Sequence, residues 1–231
     1  MTASPVIAGL VLAAGESSRM GRDKALLDYR GRTFLETIVA KLHETGVSRV
    51  AVVLGHHADE IRRQVSLPGV EVVTNCDYLR GQTSSLQAGL AALNGQALRH
   101  TDLSPLAAPP KAEGTAVSPE FASRVNDEPK PLDAVLLCLV DHPAFQASTL
   151  AALVDAFAGT NAPLVVPTHG GRRGHPVLLA RPLFEPLLAL PADRGANHLI
   201  RAWHNQAQFV EVADPGILVD VDDPQRYSAL S

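Results

Sequence analysis

A segment near the start of the chain combines small residues with two cations. Residues 12–21 read Leu-Ala-Ala-Gly-Glu-Ser-Ser-Arg-Met-Gly and follow an apolar run, and Lys24 comes three positions later. Small side chains let backbone amides approach a polyphosphate. Arg19 could bind phosphate oxygens with its guanidinium fork, and Lys24 could add a point charge. A nucleotide is a ligand that carries such a polyphosphate, and we expect it to be bound by Leu12, Ala13, Ala14, Gly15, Arg19 and Lys24.

Two familiar phosphate-binding motifs do not match this segment. A dinucleotide-binding loop requires Gly-x-Gly-x-x-Gly, which is absent. A P-loop requires a lysine directly after its last glycine and then serine or threonine, whereas Gly21 is followed by Arg22 and Asp23. The segment therefore predicts a nucleotide-binding loop of another type, and a glycine-rich turn without a ligand is the alternative.

Three aspartates follow apolar runs and could bind a metal ion. Asp141 ends the run 134–140, which is a poor place for a carboxylate unless something pairs with it. Asp220 and Asp222 end the run 216–219 and would face the same side of an extended backbone. If the two segments are neighbouring strands, Asp141 and one of the pair could hold Mg²⁺, which prefers oxygen ligands. A helix cap or a turn is the alternative for Asp141.

Two further polar segments could contact substrates. Thr83 and Ser84 precede a predicted helix, although at least one hydroxyl could simply cap that helix. Residues 171–176 read Gly-Arg-Arg-Gly-His-Pro and combine flexible glycines with cations and a histidine, which suits an anionic acceptor. Arg172 and Arg173 could instead be ordinary solvated surface.

Strand-length apolar runs alternate with helical patterns along the chain. The predicted strands are 6–13, 50–54, 70–74, 134–140 and 164–166. The predicted helices are 33–45, 59–65, 84–93 and 148–157. This alternation predicts a three-layer α/β fold, with a Rossmann-like, doubly wound and mostly parallel sheet. Ligands in such sheets bind at the carboxyl ends of the strands, where the first loop and Asp141 would lie.

The length of 231 residues fits one domain that spans 1–231. Residues 96–131 are rich in proline, alanine, serine and charge, and they interrupt the alternation. We predict that this segment is a surface insertion, with a functional lid as the alternative.

The composition excludes several classes of protein. Twenty basic and twenty-four acidic residues give a formal charge of −4, which argues against a general nucleic-acid or anionic membrane surface. The apolar residues 6–14 have no basic residue before them and are too short to span a membrane. Two cysteines are too few for a disulfide scaffold or a zinc cluster. We expect a cytoplasmic protein that binds neither nucleic acid nor membrane.

Five motifs together carry a resemblance to a known family. The first loop is accompanied by Gly81-Gln82-Thr83-Ser84-Ser85-Leu86, Asp141-His142-Pro143, Gly174-His175-Pro176-Val177 and Asp220-Val221-Asp222-Asp223-Pro224. In this order the motifs resemble the nucleotidyltransferases related to molybdenum cofactor biosynthesis. Among these MobA-like NTP transferases, the chain is most similar to the molybdenum cofactor cytidylyltransferases.

The resemblance implies a reaction and assigns roles to residues. CMP would pass from CTP to the terminal phosphate of molybdenum-loaded molybdopterin, and pyrophosphate would leave. Lys24, Arg19 and Asp141 would carry this reaction. Mg²⁺ would be bound by Asp141 and Asp222, with Asp220 in reserve. A molybdoenzyme or a chaperone would receive the product.

The resemblance also implies which segments contact the two substrates. Thr83 and Ser84 would contact the cytosine side of the pocket. The pterin acceptor would be faced by Arg173, Gly174, His175 and Pro176. Gln82 and His142 depart from the family pattern. At the position of His142, relatives more often have an amide or another polar side chain.

Several functional alternatives stay open. Ala13-Ala14 favours CTP, because guanylyl-transferring relatives usually have a glycine in this dipeptide. Guanylyl transfer to the same acceptor, or nucleotidyl transfer to a sugar or polyol phosphate, would use a similar basic loop. A non-catalytic cofactor carrier or chaperone is a further alternative, but a binder could have lost the charged residues Arg19, Lys24, Asp141 and Asp222, all of which are present.

Overall fold

The computed structural model describes residues 4–95, 101–102, 130–191 and 194–230. The predicted insertion 96–131 lies almost wholly outside the described residues. The described strands are β1 (Ile7–Ala13), β2 (Asp28–Tyr29), β3 (Arg32–Thr33), β4 (Val50–Leu54), β5 (Val70–Asn75), β6 (Thr101–Asp102), β7 (Ala134–Leu139), β8 (Leu164–His169), β9 (Arg172–Arg173), β10 (Val177–Ala180) and β11 (Ala207–Glu211). The described α-helices are α1 (Phe34–Glu44), α2 (Ala58–Gln64), α3 (Gln82–Leu93), α4 (Ala147–Thr160), α5 (Phe184–Leu188), α6 (Ala196–Ala202) and α7 (Pro224–Ser228).

One large sheet organises the described residues. Its strand order is β11-β8-β10-β7-β1-β4-β5-β6, with β9 paired to β8, while β2 and β3 form a separate hairpin. The neighbours β7, β1, β4 and β5 are parallel, and so are β8 and β11. Strand β10 runs antiparallel between β7 and β8. The prediction of a mostly parallel α/β sheet is confirmed.

Helices cover both faces of the sheet, as nearly continuous apolar strands require. Alternate residues of β1 point to opposite faces, so Val11 packs in the core beneath α1 and α4, while Leu10 packs beneath α3 and α5. Helix α3 lies close to the sheet because Gly89 has no side chain: a Cβ atom there would lie 2.3 Å from Leu10 Cδ1. These two apolar layers hold the carboxyl ends of the strands in fixed positions.

Helix α1 shows how a local signal sets an element boundary. Thr33 caps the helix, since its hydroxyl accepts a hydrogen bond from the Glu36 amide at 3.2 Å. The Glu36 carboxylate in turn accepts from the Thr33 amide at 3.0 Å, which completes a capping box. Helix α1 thereby follows directly on the hairpin that extends from the first loop.

The segment before Asp220 is not the strand that the apolar run suggested. Residues Pro215–Leu218 form a 3₁₀ helix. Asp214 caps it by accepting a hydrogen bond from the Gly216 amide at 2.9 Å, and the fixed φ angle of Pro215 suits a first helical position. The two segments are therefore not neighbouring strands, and Asp220 and Asp222 lie in an extended loop.

The sheet order creates a crevice at one edge. From β1 the chain continues to β4 on one side, whereas β7 pairs on the other side of β1. The carboxyl ends of β1 and β7 therefore flank a topological switch point, which is where open α/β sheets bind ligands. No helix within the described ranges is long and apolar enough to cross a membrane.

Candidate functional site

A cavity of about 430 Å³ opens at the carboxyl ends of β1 and β7. It is lined by most of the residues that the sequence singled out, namely Leu12, Ala13, Ala14, Gly15, Arg19, Lys24, Asp141 and Asp222. Arg19 is exposed, whereas Ala13 and Ala14 are buried. The cavity thus brings the small residues and both cations of the first loop to the same place as two of the three aspartates.

The first loop turns back on itself and is held by its own polar groups. Ser17 has a positive φ angle of 51°, and its hydroxyl accepts a hydrogen bond from the Lys24 amide at 3.0 Å. Asp23 is buried, accepts from the Ala25 amide at 2.9 Å and lies 3.1 Å from His57 Nδ1. The sequence analysis missed Ser17 and Asp23, although their position within and beside the loop could have indicated them.

Lys24 lies between two of the predicted aspartates. Its Nζ atom is 2.6 Å from Asp222 Oδ1 and 3.5 Å from Asp141 Oδ2. The hydrogen bond from Lys24 holds the pKa of Asp222 below its usual range. The side chain of Lys24 is only 13% exposed, so solvent screens the attraction between its charge and these carboxylates only weakly.

A backbone contact, rather than strand pairing, joins the aspartate segments. The Val221 amide donates to the Asp141 carbonyl at 2.9 Å. This contact places Asp220 and Asp222 on either side of Val221 beside the end of β7. Burial, and next the neighbouring charge of Asp141, raise the pKa of Asp220.

The carboxylates fit a divalent cation. Asp141 Oδ1 and Asp220 Oδ1 are buried and have no hydrogen-bond partner among the described residues. Oxygen atoms of this kind suit a hard cation, and leaving them without a partner is costly. Asp220, which the sequence analysis held in reserve, is therefore placed at least as well for this task as Asp222, whose Oδ1 is bound to Lys24.

The hydroxyls of Thr83 and Ser84 are used inside the protein. Thr83 Oγ1 donates to the Arg194 carbonyl at 2.9 Å and accepts from the Ala196 amide at 3.0 Å. Ser84 Oγ donates to the Gly81 carbonyl at 2.8 Å. Both side chains are buried and hold the start of α3 in place.

The first-turn residues of α3 that line the cavity are instead Gln82 and Ser85. They lie on the helix face turned toward the first loop. Sequence reasoning could not choose among these adjacent polar residues, because the choice depends on contacts with a segment 111 positions away.

A second cavity of about 330 Å³ adjoins the first and shares Leu12, Gln82 and Leu139 with it. Its walls are mainly apolar and include Leu86, Leu137, Val166, Ile200 and Phe209. Of the predicted acceptor residues, Arg173, Gly174 and His175 line this cavity, whereas Pro176 is buried behind it. Arg201 and His204, which the sequence analysis did not identify, also line it.

The polar side chains of the second cavity form a rim around its apolar floor. Arg173 Nη1 lies 3.2 Å from His204 Nδ1, and its guanidinium carbon is 5.8 Å from the centre of the Phe209 ring. Burial, and next the proximity of His142, lower the pKa of His175 to about 4. The second cavity can therefore accept a flat apolar group and an anionic group at its edge.

The doubly wound sheet, with a cation-bearing loop and carboxylates at its switch point, has the architecture of a nucleotidyltransferase. Residues 9–208 match the family model described as the MobA-like NTP transferase domain, and the chain belongs to this family.

Similar proteins cover nearly the whole chain. A nicotine blue oxidoreductase of Paenarthrobacter nicotinovorans is 28% identical over 98% of this chain and 97% of its own length. The molybdenum cofactor cytidylyltransferase of Escherichia coli K12 is 21% identical over 94% of this chain and 92% of its own. The crystal structure of Rv0371c from Mycobacterium tuberculosis H37Rv has a TM-score of 0.70 and 25% identity, and covers 99% of this chain and 98% of that one.

Proposed function

We propose that the protein transfers CMP from CTP to the terminal phosphate of molybdenum-loaded molybdopterin, with release of pyrophosphate. The observation that carries this proposal is the pair of adjoining cavities. One is built for a polyphosphate, and the other is apolar with a cationic rim. A nucleotide and a flat heterocyclic acceptor with a phosphate could lie in them side by side.

The reaction needs alignment and charge neutralisation more than a base. An oxygen of the acceptor phosphate attacks the α-phosphorus of CTP, the new P–O bond forms, and the bond to the pyrophosphate oxygen breaks. The acceptor phosphate is already ionised at neutral pH, so no proton has to be removed. Lys24 and Arg19 stabilise the charge that grows on the leaving pyrophosphate.

A divalent cation has a place in this reaction. The residues that would hold it are Asp141 together with Asp220 or Asp222, and Mg²⁺ is the ion that the family resemblance implies. When bound, the cation supplies further charge neutralisation at the phosphates.

The preference for CTP rests on Ala13 and Ala14. Both are buried and line the first cavity, at the carboxyl ends of β1 and β7. The Ala14 carbonyl also lies against Gly55, where an added Cβ atom would be 2.4 Å away, so the backbone here is closely packed. One methyl group at the end of β1 and another on the residue after it, in a backbone without room to move, favour the smaller pyrimidine.

An oxidoreductase activity is the second candidate, and it is favoured by the 28% identity to a nicotine blue oxidoreductase over nearly full length. The apolar cavity would hold a heteroaromatic compound for either activity. The arrangement of Lys24 between Asp141 and Asp222 has a use in phosphate transfer that an oxidation or reduction does not require. Nucleotidyl transfer is therefore the leading proposal.

The test is an incubation of the protein with Mg²⁺ or Mn²⁺, molybdenum-loaded molybdopterin and each nucleoside triphosphate in turn. We expect pyrophosphate and a cytosine dinucleotide product with CTP, detected by mass. Product with GTP would keep the transfer and overturn the base preference. Nucleotide binding without pyrophosphate would favour a carrier. The oxidoreductase is tested in a separate incubation with nicotine blue and NADH or NADPH as the hydride donor, and oxidation of the donor there, without nucleotidyl transfer in the first incubation, would favour it.

A further inference from the structure

His142 lies beside the two aspartates that have unsatisfied oxygens. One potential ligand atom from each of Asp141, His142 and Asp220 lies within 4.8 Å of the other two. The histidine side chain is only 13% exposed, and its ring lies between Asp141, whose Oδ1 is 3.9 Å from Nε2, and the ring of His175, whose centroid is 5.1 Å away. The position of His142 follows from the sequence, because Asp141 and His142 lie in the turn that follows β7, after Val140.

Neighbouring cations already bind the other oxygens of these aspartates. Lys24 Nζ lies 3.5 Å from Asp141 Oδ2, and Arg226 Nη1 lies 3.3 Å from Asp220 Oδ2. Asp141 Oδ1 and Asp220 Oδ1 are buried, and neither has a hydrogen-bond partner among the described residues. The nitrogen of His142 that lies beside Asp141 Oδ1 is Nε2, whereas Nδ1 is the buried ring nitrogen without a partner. The groups that remain free are thus two carboxylate oxygens and an imidazole.

Hydrogen bonding within the cluster does not satisfy these groups. His142 Nε2 is 3.9 Å from Asp141 Oδ1, which is beyond hydrogen-bond distance. A buried carboxylate without a partner is costly, and a cation shared among the three side chains would remove that cost.

We propose that Asp141, His142 and Asp220 form a mixed nitrogen and oxygen site that binds Mn²⁺ or Co²⁺ more tightly than Mg²⁺. Mg²⁺ is a hard cation that prefers oxygen and keeps its water, whereas transition metals accept imidazole readily. This inference deepens the proposed function, since the site is the same.

The direct test is metal binding without nucleotide or acceptor. Isothermal titration with MnCl₂, CoCl₂ and MgCl₂ is expected to give Co²⁺ and Mn²⁺ affinities at least about tenfold above that of Mg²⁺. The visible absorption of Co²⁺ is sensitive to nitrogen ligands and should change on binding. Failure of the wild-type protein to bind Co²⁺, or equal affinity for Co²⁺ and Mg²⁺, would overturn the proposal.

His142→Gln replaces the nitrogen donor with an amide oxygen of similar reach. This variant should lose about tenfold or more in Co²⁺ affinity, while its Mg²⁺ affinity changes by less than about threefold. Asp220→Asn should weaken both metals. Asp155→Asn is the matched control, because Asp155 is an exposed aspartate of α4 outside the cluster. An equal loss of both metals in His142→Gln, or no loss at all, would contradict the nitrogen ligand.

The two proposals fail separately. If the wild-type protein binds Co²⁺ through His142 but transfers no nucleotide, only the proposed function is wrong. If it transfers CMP while His142→Gln keeps the wild-type ratio of Co²⁺ to Mg²⁺ affinity, only the metal inference is wrong.

Discussion

Lys24 serves two partners in the structure, and a nucleotide would add a third. Its Nζ atom is held by Asp222 and Asp141, at 2.6 Å and 3.5 Å. A bound triphosphate would draw the ammonium group toward its own oxygens and free carboxylate oxygens for a cation. We therefore expect nucleotide and metal to bind with positive coupling, each removing a charge that opposes the other.

The variant Lys24→Met keeps the aliphatic stem of the lysine and removes its charge. We expect kcat for CMP transfer to fall by about 10²-fold to 10³-fold, because the charge matters most as the pyrophosphate leaves. The Kd for CTP should change much less, since Arg19 and the loop amides remain. Steady-state kinetics and calorimetric titration with CTP measure the two effects.

Arg22→Met is the matched control for Lys24→Met. Arg22 is an exposed cation that directly follows the first loop, and it is not among the residues that line the first cavity. Its variant should keep kcat near the wild-type value. Equal losses in kcat and CTP affinity for Lys24→Met would instead give the lysine a role in ground-state binding.

Among the elements, helix α3 approaches the sheet closely at a single residue, Gly89. It begins at the cavity with Gln82 and packs on the sheet through Gly89. A Cβ atom at Gly89 would lie 2.3 Å from Leu10 Cδ1 and 2.9 Å from Val53 Cγ2. Moving α3 away from the sheet would move the cavity wall that Gln82 and Ser85 form.

Gly89→Ala is expected to lower the free energy of unfolding by about 1–3 kcal/mol, because overpacking of a buried contact outweighs the gain in helix propensity. Gly159→Ala is the control within α4, where an added Cβ meets nothing within 4 Å. It should be neutral or stabilising by up to about 1 kcal/mol. Urea unfolding monitored by circular dichroism measures both. Equal effects at the two glycines would remove the close approach as the cause.

For the whole molecule, the sequence pattern was informative about layers and less so about strand direction. Predicted helix 33–45 corresponds to α1 (Phe34–Glu44), and predicted helix 148–157 to the longer α4 (Ala147–Thr160). The buried runs identified the parallel centre of the sheet. Neither β10 nor β11 was predicted, because four or five residues carry little periodicity and their pairing is decided by distant partners.

The candidate site shows the same division. Residues that directly follow strands, such as Asp141 and the loop after β1, could be placed from the sequence because parallel strands end at one edge. The orientation of a side chain could not. Thr83 and Ser84 turn inward to backbone carbonyls, and Asp220 and Asp222 face different partners, which only tertiary packing determines.

The free energy of unfolding of the protein is expected to depend on pH through Lys41. Its Nζ donates to the Pro143 carbonyl at 2.6 Å, and burial lowers the pKa of Lys41 to about 8. In the unfolded chain the group keeps its proton up to about 10.5. Between these values the unfolded state binds more protons, so the contribution of Lys41 to stability rises as pH increases from 8 to 10.

The measurement is the free energy of unfolding of the wild-type protein minus that of Lys41→Met, across this pH range. The difference is expected to increase with pH. Lys130→Met, at an exposed position, controls for the loss of one positive charge. A difference that falls with rising pH would reverse the sign assigned to the buried lysine.

Lys24 and Asp222 are 198 positions apart in the chain, and this separation has a consequence for synthesis. The parallel strands β7, β1, β4 and β5 are all present once Leu139 has left the ribosome, and domains fold as units while they are made. The aspartate segment emerges only on the order of ten seconds later at ordinary rates of translation. A nascent chain would therefore contain the proposed nucleotide-binding loop before the proposed metal ligands, and we expect no transfer activity until the last aspartates have emerged.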